Sequence, residues 1–208
     1  MIQIFRRFLS HKYSVGAMLV LAFLFWPGKI TAKESSAEGL LSGHAYITKL
    51  KSPVDAGRGY RLVYLVKVPL DVYWRFKTDF NNEFLITNKY IIEHQFVRRI
   101  GNIFITENVY THRPRIKFKW RTTIFPTRHS LEYILLNLKE SGQNYHYGYI
   151  LLEAMGDFTK VIHVAYFDFW GAFLWANYPW RGGMASFLRY MARWEQETVP
   201  PFIQTYNR

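Results

Sequence analysis

The chain has 208 residues, 50% of them hydrophobic and 19% aromatic, with 27 Lys and Arg against 15 Asp and Glu and a formal charge of +12. That composition excludes a disordered chain. The lack of cysteine excludes disulfides, a thiol nucleophile, zinc–thiolate sites and lipid attachment through Cys. The charge points to anionic partners and says nothing about fold.

The first segment, MIQIFRRFLSHKY, carries Arg6, Arg7 and Lys12 and no acid. VGAMLVLAFLFW (15–26) is an unbroken apolar run, followed by Pro27, Gly28 and a small residue at Ala32. This basic–apolar–small order is that of a secretory signal peptide, residues 1–32. The run is short for a membrane-spanning helix, which needs about 20 residues. The expectation is export to a bacterial periplasm, with cleavage near Ala32. The alternative is membrane anchoring by an uncleaved signal. Cleavage removes Arg6, Arg7, Lys12 and Lys29 and no acid, taking the charge from +12 to +8.

KESSAEGLLSG (33–43) is small and polar and reads as a linker, with one domain from 44 to 208 beyond it. Residues 45–51 and 59–68 are two-residue periodic, as strands are, and a Pro/Asp/Gly turn separates them. PLDVYWRFKTDF (69–80) opens with Pro69 and spaces Val72, Tyr73 and Phe76 as one helix face. Strands are then expected over 88–99, 102–112, 115–125, 129–139, 144–153 and 158–170. Their separators are short, so consecutive strands pair antiparallel.

Within the third of these, RIKFKWR (115–121) alternates Arg115, Lys117, Lys119 and Arg121 with Ile116, Phe118 and Trp120. On a strand this gives one cationic face and one apolar face. In WRGGMASFLRYMARWEQETV (180–199), Met184, Phe187, Leu188, Met191 and Thr198 share one helix face, and Pro200-Pro201 is expected to end the helix. The predicted class is α+β, a curved antiparallel sheet gripping a long C-terminal helix.

The order of elements resembles the START-like helix-grip superfamily of polyketide cyclases, coenzyme Q-binding proteins and lipid-transfer domains. The resemblance rests on VKVPLDVYWRFKTDF (66–80), GYILLEAMGDFTKVIHVAYFDF (148–169) and the C-terminal helix near Trp194-Glu195. It implies an apolar cavity between sheet and helix, with GAFLWANYPWRGG (171–183) where the family often has a gating loop. It implies no particular reaction, since the fold hosts carriers and enzymes alike.

Phe104, Tyr110, Phe118, Trp120, Tyr133, Tyr147, His163, Phe167, Phe187 and Met191 are the expected cavity lining. Aromatic walls with a few hydroxyls suit a hydrophobic small molecule or lipid such as a sterol, quinone or polyketide. The same residues packed solid are an ordinary core. His163 alternates with Val161, Ala165 and Phe167, and is either a core histidine or a general base. A cyclase/dehydratase-type enzyme using His163, Glu107 or Glu132 is therefore the alternative, and a closed-core envelope adaptor is a third.

Arg115, Lys117, Lys119 and Arg121 are the expected contact with an anionic membrane surface. Nucleic acid is not expected, because the chain reads as exported and the aromatics of this strand lie on its other face. His11, His44, His94, His112, His129, His146 and His163 show no metal-ligand spacing, although His112 and His129 could meet at a sheet end. No cofactor motif is present.

Overall fold

The computed structural model describes residues 37–53, 57–111, 113–170 and 183–206. The expected signal, the segment 171–182 and His112 lie outside them. The elements, in order, are α1 (Ala37–Leu41), β1 (Tyr46–Leu50), β2 (Arg58–Val66), α2 (Leu70–Thr78), a 3-10 turn (Glu83–Thr87), β3 (Ile91–Ile100), β4 (Ile103–Tyr110), β5 (Lys117–Phe125), a second 3-10 turn (Pro126–Arg128), β6 (Ser130–Leu135), α3 (Leu138–Ser141), β7 (Gln143–Met155), β8 (Phe158–Phe169) and α4 (Gly183–Tyr206).

The eight strands form one antiparallel sheet in the order β1-β2-β8-β7-β6-β5-β4-β3. From β3 to β8 each strand pairs with the next, as short connections require. The non-local pairing is β2 with β8, which brings Leu62 opposite His163 and Tyr64 opposite Val161. One face of the sheet packs on α2 and α4. Its core contains Leu62, Tyr64, Val66, Phe118, Leu135, Val161 and Phe167, together with Leu188, Ala192, Trp194 and Val199 of α4. This is the inner face.

The outer face has its own smaller cluster. Leu40 of α1 covers Val63, Leu65 and Ile162 there. Part of the expected linker is thus a short helix, held by the burial of one leucine.

Two boundaries differ from the sequence reading for clear reasons. Strand β5 begins at Lys117, because Arg113 to Ile116 is a turn closed by Ile116 N–H donating to the Arg113 carbonyl at 3.0 Å. Arg115 therefore precedes the strand. At the other end, α4 runs through Pro200 and Pro201 to Tyr206. Proline removes an intrahelical hydrogen bond, but the next turn buries Ile203. It also sets the Phe202 ring 5.2 Å from Phe84 and 5.8 Å from Phe76. Packing of that turn outweighs the lost bonds.

Candidate functional site

The inner face of the sheet is not uniformly apolar. Three of its polar groups come from adjacent strands: Tyr133 of β6, His146 of β7 and His163 of β8. The Tyr133 hydroxyl shares a hydrogen bond with His163 Nε2 at 2.7 Å. To do so it crosses the intervening strand at Gly148, its own pairing partner. A methyl group on Gly148 would sit 2.0 Å from the Val164 carbonyl and 2.6 Å from the Tyr133 hydroxyl. Only glycine lets the phenol pass so close to the sheet.

Aromatic rings surround this dyad. Trp120 lies 5.7 Å from Tyr133 and 4.9 Å from His146, edge-on in both cases. His146 is 5.7 Å from Phe167, and its Nδ1 meets Gln143 Oε1 at 3.0 Å. Trp120 Nε1 is buried and reaches no acceptor at hydrogen-bond geometry. The nearby Tyr110 hydroxyl feels it nonetheless, and the Asn108 amide donates weakly to that hydroxyl at 3.5 Å.

Both imidazoles are uncharged at neutral pH. Burial, then the positive charge His163 would carry, lowers His146 to about 3. Burial, then Lys77, lowers His163 to about 4, with Glu195 opposing. Burial also raises the Tyr133 phenol, with Tyr110 adding to the effect.

A second polar cluster adjoins the first. Glu195 of α4 is buried. Its Oε2 accepts from the Tyr64 hydroxyl at 2.6 Å and the Tyr73 hydroxyl at 2.5 Å. Its Oε1 accepts from Lys77. Burial alone would raise the carboxyl pKa. The Lys77 charge and the three hydrogen bonds outweigh it and hold the group below its usual value. Burial, then the Glu195 charge, pushes the Tyr64 and Tyr73 phenols well up.

Trp120, Tyr133, Ile150 and His163 point inward yet each keeps accessible surface, whereas Phe118 and Phe167 beside them keep none. The first four border a space that solvent reaches. Tyr110, edge-on to Phe118 at 4.9 Å, and Phe187 and Met191 of α4 are likewise partly buried against this core. Met191 Sδ accepts from the Asn88 amide at 3.1 Å. Phe104 also faces inward, in a separate cluster with Ile124 and Leu131, its ring 4.4 Å from Phe80.

Tyr147 does not belong with these residues. It pairs with Ile134 and Tyr166 on the outer face, its ring 5.7 Å from Tyr145 and 5.5 Å from Tyr166. The period-two tyrosine ladder is real, but its phase puts His146, Gly148 and Ile150 inside. His146 thus has a sequence signal, as the residue alternating with Tyr145 and Tyr147. Glu195 has one too. It stands between Met191 and Thr198 on the apolar stripe of α4, where a carboxylate needs a partner.

The cationic face of β5 lies outside. Lys119 meets Glu107 of β4 at 2.9 Å and Lys117 stands 4.0 Å from the same carboxylate. Glu107 is therefore an outer-face counter-ion, not an inward acid. Glu132 also lies outward, opposite Thr123 and Tyr149.

A pocket of about 310 Å³ opens elsewhere, between α1 and α4, lined among others by Leu40, Leu65, Lys67, Phe158 and Arg193. Among the described residues no three His, Asp or Glu side chains are grouped as metal ligands. Nor is any described helix long and apolar enough to cross a membrane.

A sheet wrapped on a long C-terminal helix recurs in solved structures. A truncated norcoclaurine synthase from Thalictrum flavum superposes with a TM-score of 0.51 at 10% identity, covering 76% of this chain and 94% of that one. A STAR-related lipid transfer protein from Xanthomonas axonopodis superposes with a TM-score of 0.50 at 13% identity, covering 72% of this chain and 93% of that one. The chain has the START-like helix-grip fold. No family profile matches the sequence, and no curated protein matches it.

The helix-grip core should depend on the Glu195 cluster in a pH-dependent way. Glu195→Gln should cost about 3–5 kcal/mol at pH 7, as expected when one partner of a buried ion pair is removed. The folded carboxyl pKa is depressed, so its contribution is present above the unfolded value near ~4 and fades as pH falls through the folded one. The gap between wild type and variant, read from urea melts at pH 7 to 3, should close at the acid end. A pH-independent gap would show that the charge of Glu195 is not what matters.

Proposed function

We propose that this is an exported carrier that holds a hydrophobic small molecule or lipid between the sheet and α4. The observation that supports it is the inner wall, where Trp120, Tyr133, Ile150 and His163 face the core without being sealed. A filled core would bury all four. The structural neighbours are a lipid transfer protein and an enzyme, so the fold is compatible with either role. Glu195 favours carriage over catalysis, because Lys77 and two tyrosines hold its carboxyl below its usual value and make it a weak base. Trp120 is the natural reporter. Apolar ligands titrated into the protein should change its fluorescence. Trp120→Ala should weaken their binding at a stability cost below the roughly 3–5 kcal/mol of a packed aromatic. A full core-sized loss, with no apolar ligand detected by native mass spectrometry, would leave an ordinary core.

Export rests on the order of residues 1–32. Protein recovered from its host should begin near Lys33 on N-terminal sequencing. A chain that keeps Met1 and stays soluble in the cytosol would refute it.

The outer face is assigned to anionic membrane surfaces. Lys117 and Lys119 keep much of their side chains exposed, 58% and 43%, despite sharing Glu107. Reversing Arg115, Lys117 and Lys119 to Glu should lower binding to phosphatidylglycerol vesicles, and salt should weaken the wild type in the same way. Equal vesicle binding by both proteins would remove this role.

A further inference from the structure

Edge strand β3 leaves three large apolar side chains exposed. Ile92, Val97 and Ile100 are 47%, 41% and 58% exposed, and Ile100 is the most exposed large apolar side chain among the described residues. The ladder to β4 explains why. Its register steps from Ile91 to Glu93 and again from Phe96 to Arg98, so Ile92 and Val97 are extra residues, as in β-bulges. A bulge takes its extra residue out of the pairing. Ile100 ends the strand beside Gly101, which has a φ of +58°. A Cβ added at Gly101 would meet nothing within 4 Å. The tip of the β3–β4 hairpin therefore projects into open space.

The outer face beside this strand is cationic. Ile105 of β4 has Arg98 of β3 on one side and Arg121 of β5 on the other. The acids of β3 to β5 are Glu93 and Glu107, and Glu107 is shared by Lys117 and Lys119. Among the described residues the salt bridges involve neither arginine. An exposed apolar edge suits two kinds of partner, another strand or lipid. A strand needs an unbroken row of ladder groups, and bulges interrupt that row and turn the edge away from pairing. An anionic bilayer needs apolar groups that enter it and cations that stay at its phosphates. Strand β3 and its neighbours supply both side by side.

We propose that β3 is the part of the outer face that enters an anionic bilayer. Ile92, Val97 and Ile100 pass below the headgroups, and Arg98 and Arg121 hold phosphates above them. This rests on the membrane-surface reading above and deepens it, because a purely electrostatic contact would leave those three side chains in water. Lipid removes them from water without asking the bulged strand to pair.

The chain has no cysteine of its own, so a single introduced one can carry a probe. Three variants of the full chain test the proposal: Ile100→Cys, Lys119→Cys on the cationic face of β5, and Lys49→Cys on β1 at the opposite edge of the sheet. Each is labelled with a solvent-sensitive nitrobenzoxadiazole dye. Each is then mixed with phosphatidylglycerol vesicles that carry a spin-label quencher on either the headgroup or the acyl chain. The dye at Ile100 should shift to the blue and be quenched from the acyl chain. The dye at Lys119 should be quenched from the headgroup only, and the dye at Lys49 from neither. Arg98→Glu together with Arg121→Glu should abolish the blue shift at Ile100. Thermal melts verify that this variant folds; where it does not, the contrast between the Ile100 and Lys49 dyes decides. Headgroup quenching at Lys119 without acyl-chain quenching at Ile100 overturns the inference and leaves the surface reading intact. Acyl-chain quenching at Lys49 equal to that at Ile100 overturns it as well. A blue shift at Ile100 that grows with protein concentration in the absence of lipid overturns it in favour of pairing between copies of the chain. Quenching at neither Lys119 nor Ile100 removes the surface reading, and this inference falls with it.

Discussion

One carboxylate fixes how the long helix sits on the sheet. Apolar contact between α4 and the inner face is non-directional, so by itself it tolerates sliding and rotation. Glu195 does not. It takes hydrogen bonds from Tyr64 of β2, Tyr73 of α2 and Lys77 near the end of α2. Three elements distant in sequence are tied to one side chain. A buried ion pair often contributes little net stability over a well-packed apolar replacement. Its contribution here is directional, because each donor must meet a specific oxygen. The helix register that places Met191 and Phe187 over one part of the wall and Trp194 against Phe84, with ring centroids 4.4 Å apart, follows from it.

The fold was legible because its two periodicities are strong. Alternation along 144–153 and 158–170 marks β7 and β8, and the i, i+4 rows of 184–198 mark α4. The features that were missed depend on contacts remote in sequence. Nothing local in KESSAEGLLSG announces a helix; α1 exists because Leu40 reaches Val63, Leu65 and Ile162. Pro200-Pro201 is a valid stop signal in isolation, overridden by the burial of Ile203 and Phe202 against the core.

The site was legible to the extent that strand phase was. Alternation puts His163 on the face of Val161, Ala165 and Phe167, and the register sets it there opposite Leu62 and Ile150. Tyr147 reads as inward in the sequence because three tyrosines at period two look like a wall. Sequence alternation fixes which residues share a face, not which face is inside. On β7 the decision falls to Gly148, which has no side chain to bury but leaves the gap through which Tyr133 reaches His163. The strand turns its hydroxyl-bearing residues outward, and His146 comes in with the glycine.

These two polar groups divide the inner wall into parts with different chemistry. In the Glu195 cluster every charge is answered within the protein, so it is closed to ligands and rigid. In the imidazole cluster no group is charged, because burial outweighs the tendency of each ring to bind a proton. The first sustains the second. Lys77 stands close enough to lower His163, and Glu195 opposes that effect while neutralising the lysine. The wall can thus keep hydrogen-bonding capacity in an aromatic setting without exposing a charge there. Below neutrality the balance shifts first at the histidines. Unfolded histidine binds a proton near pH ~6.5, whereas the folded rings do so at about 4 and about 3. Stability is therefore lost progressively as pH falls through that interval.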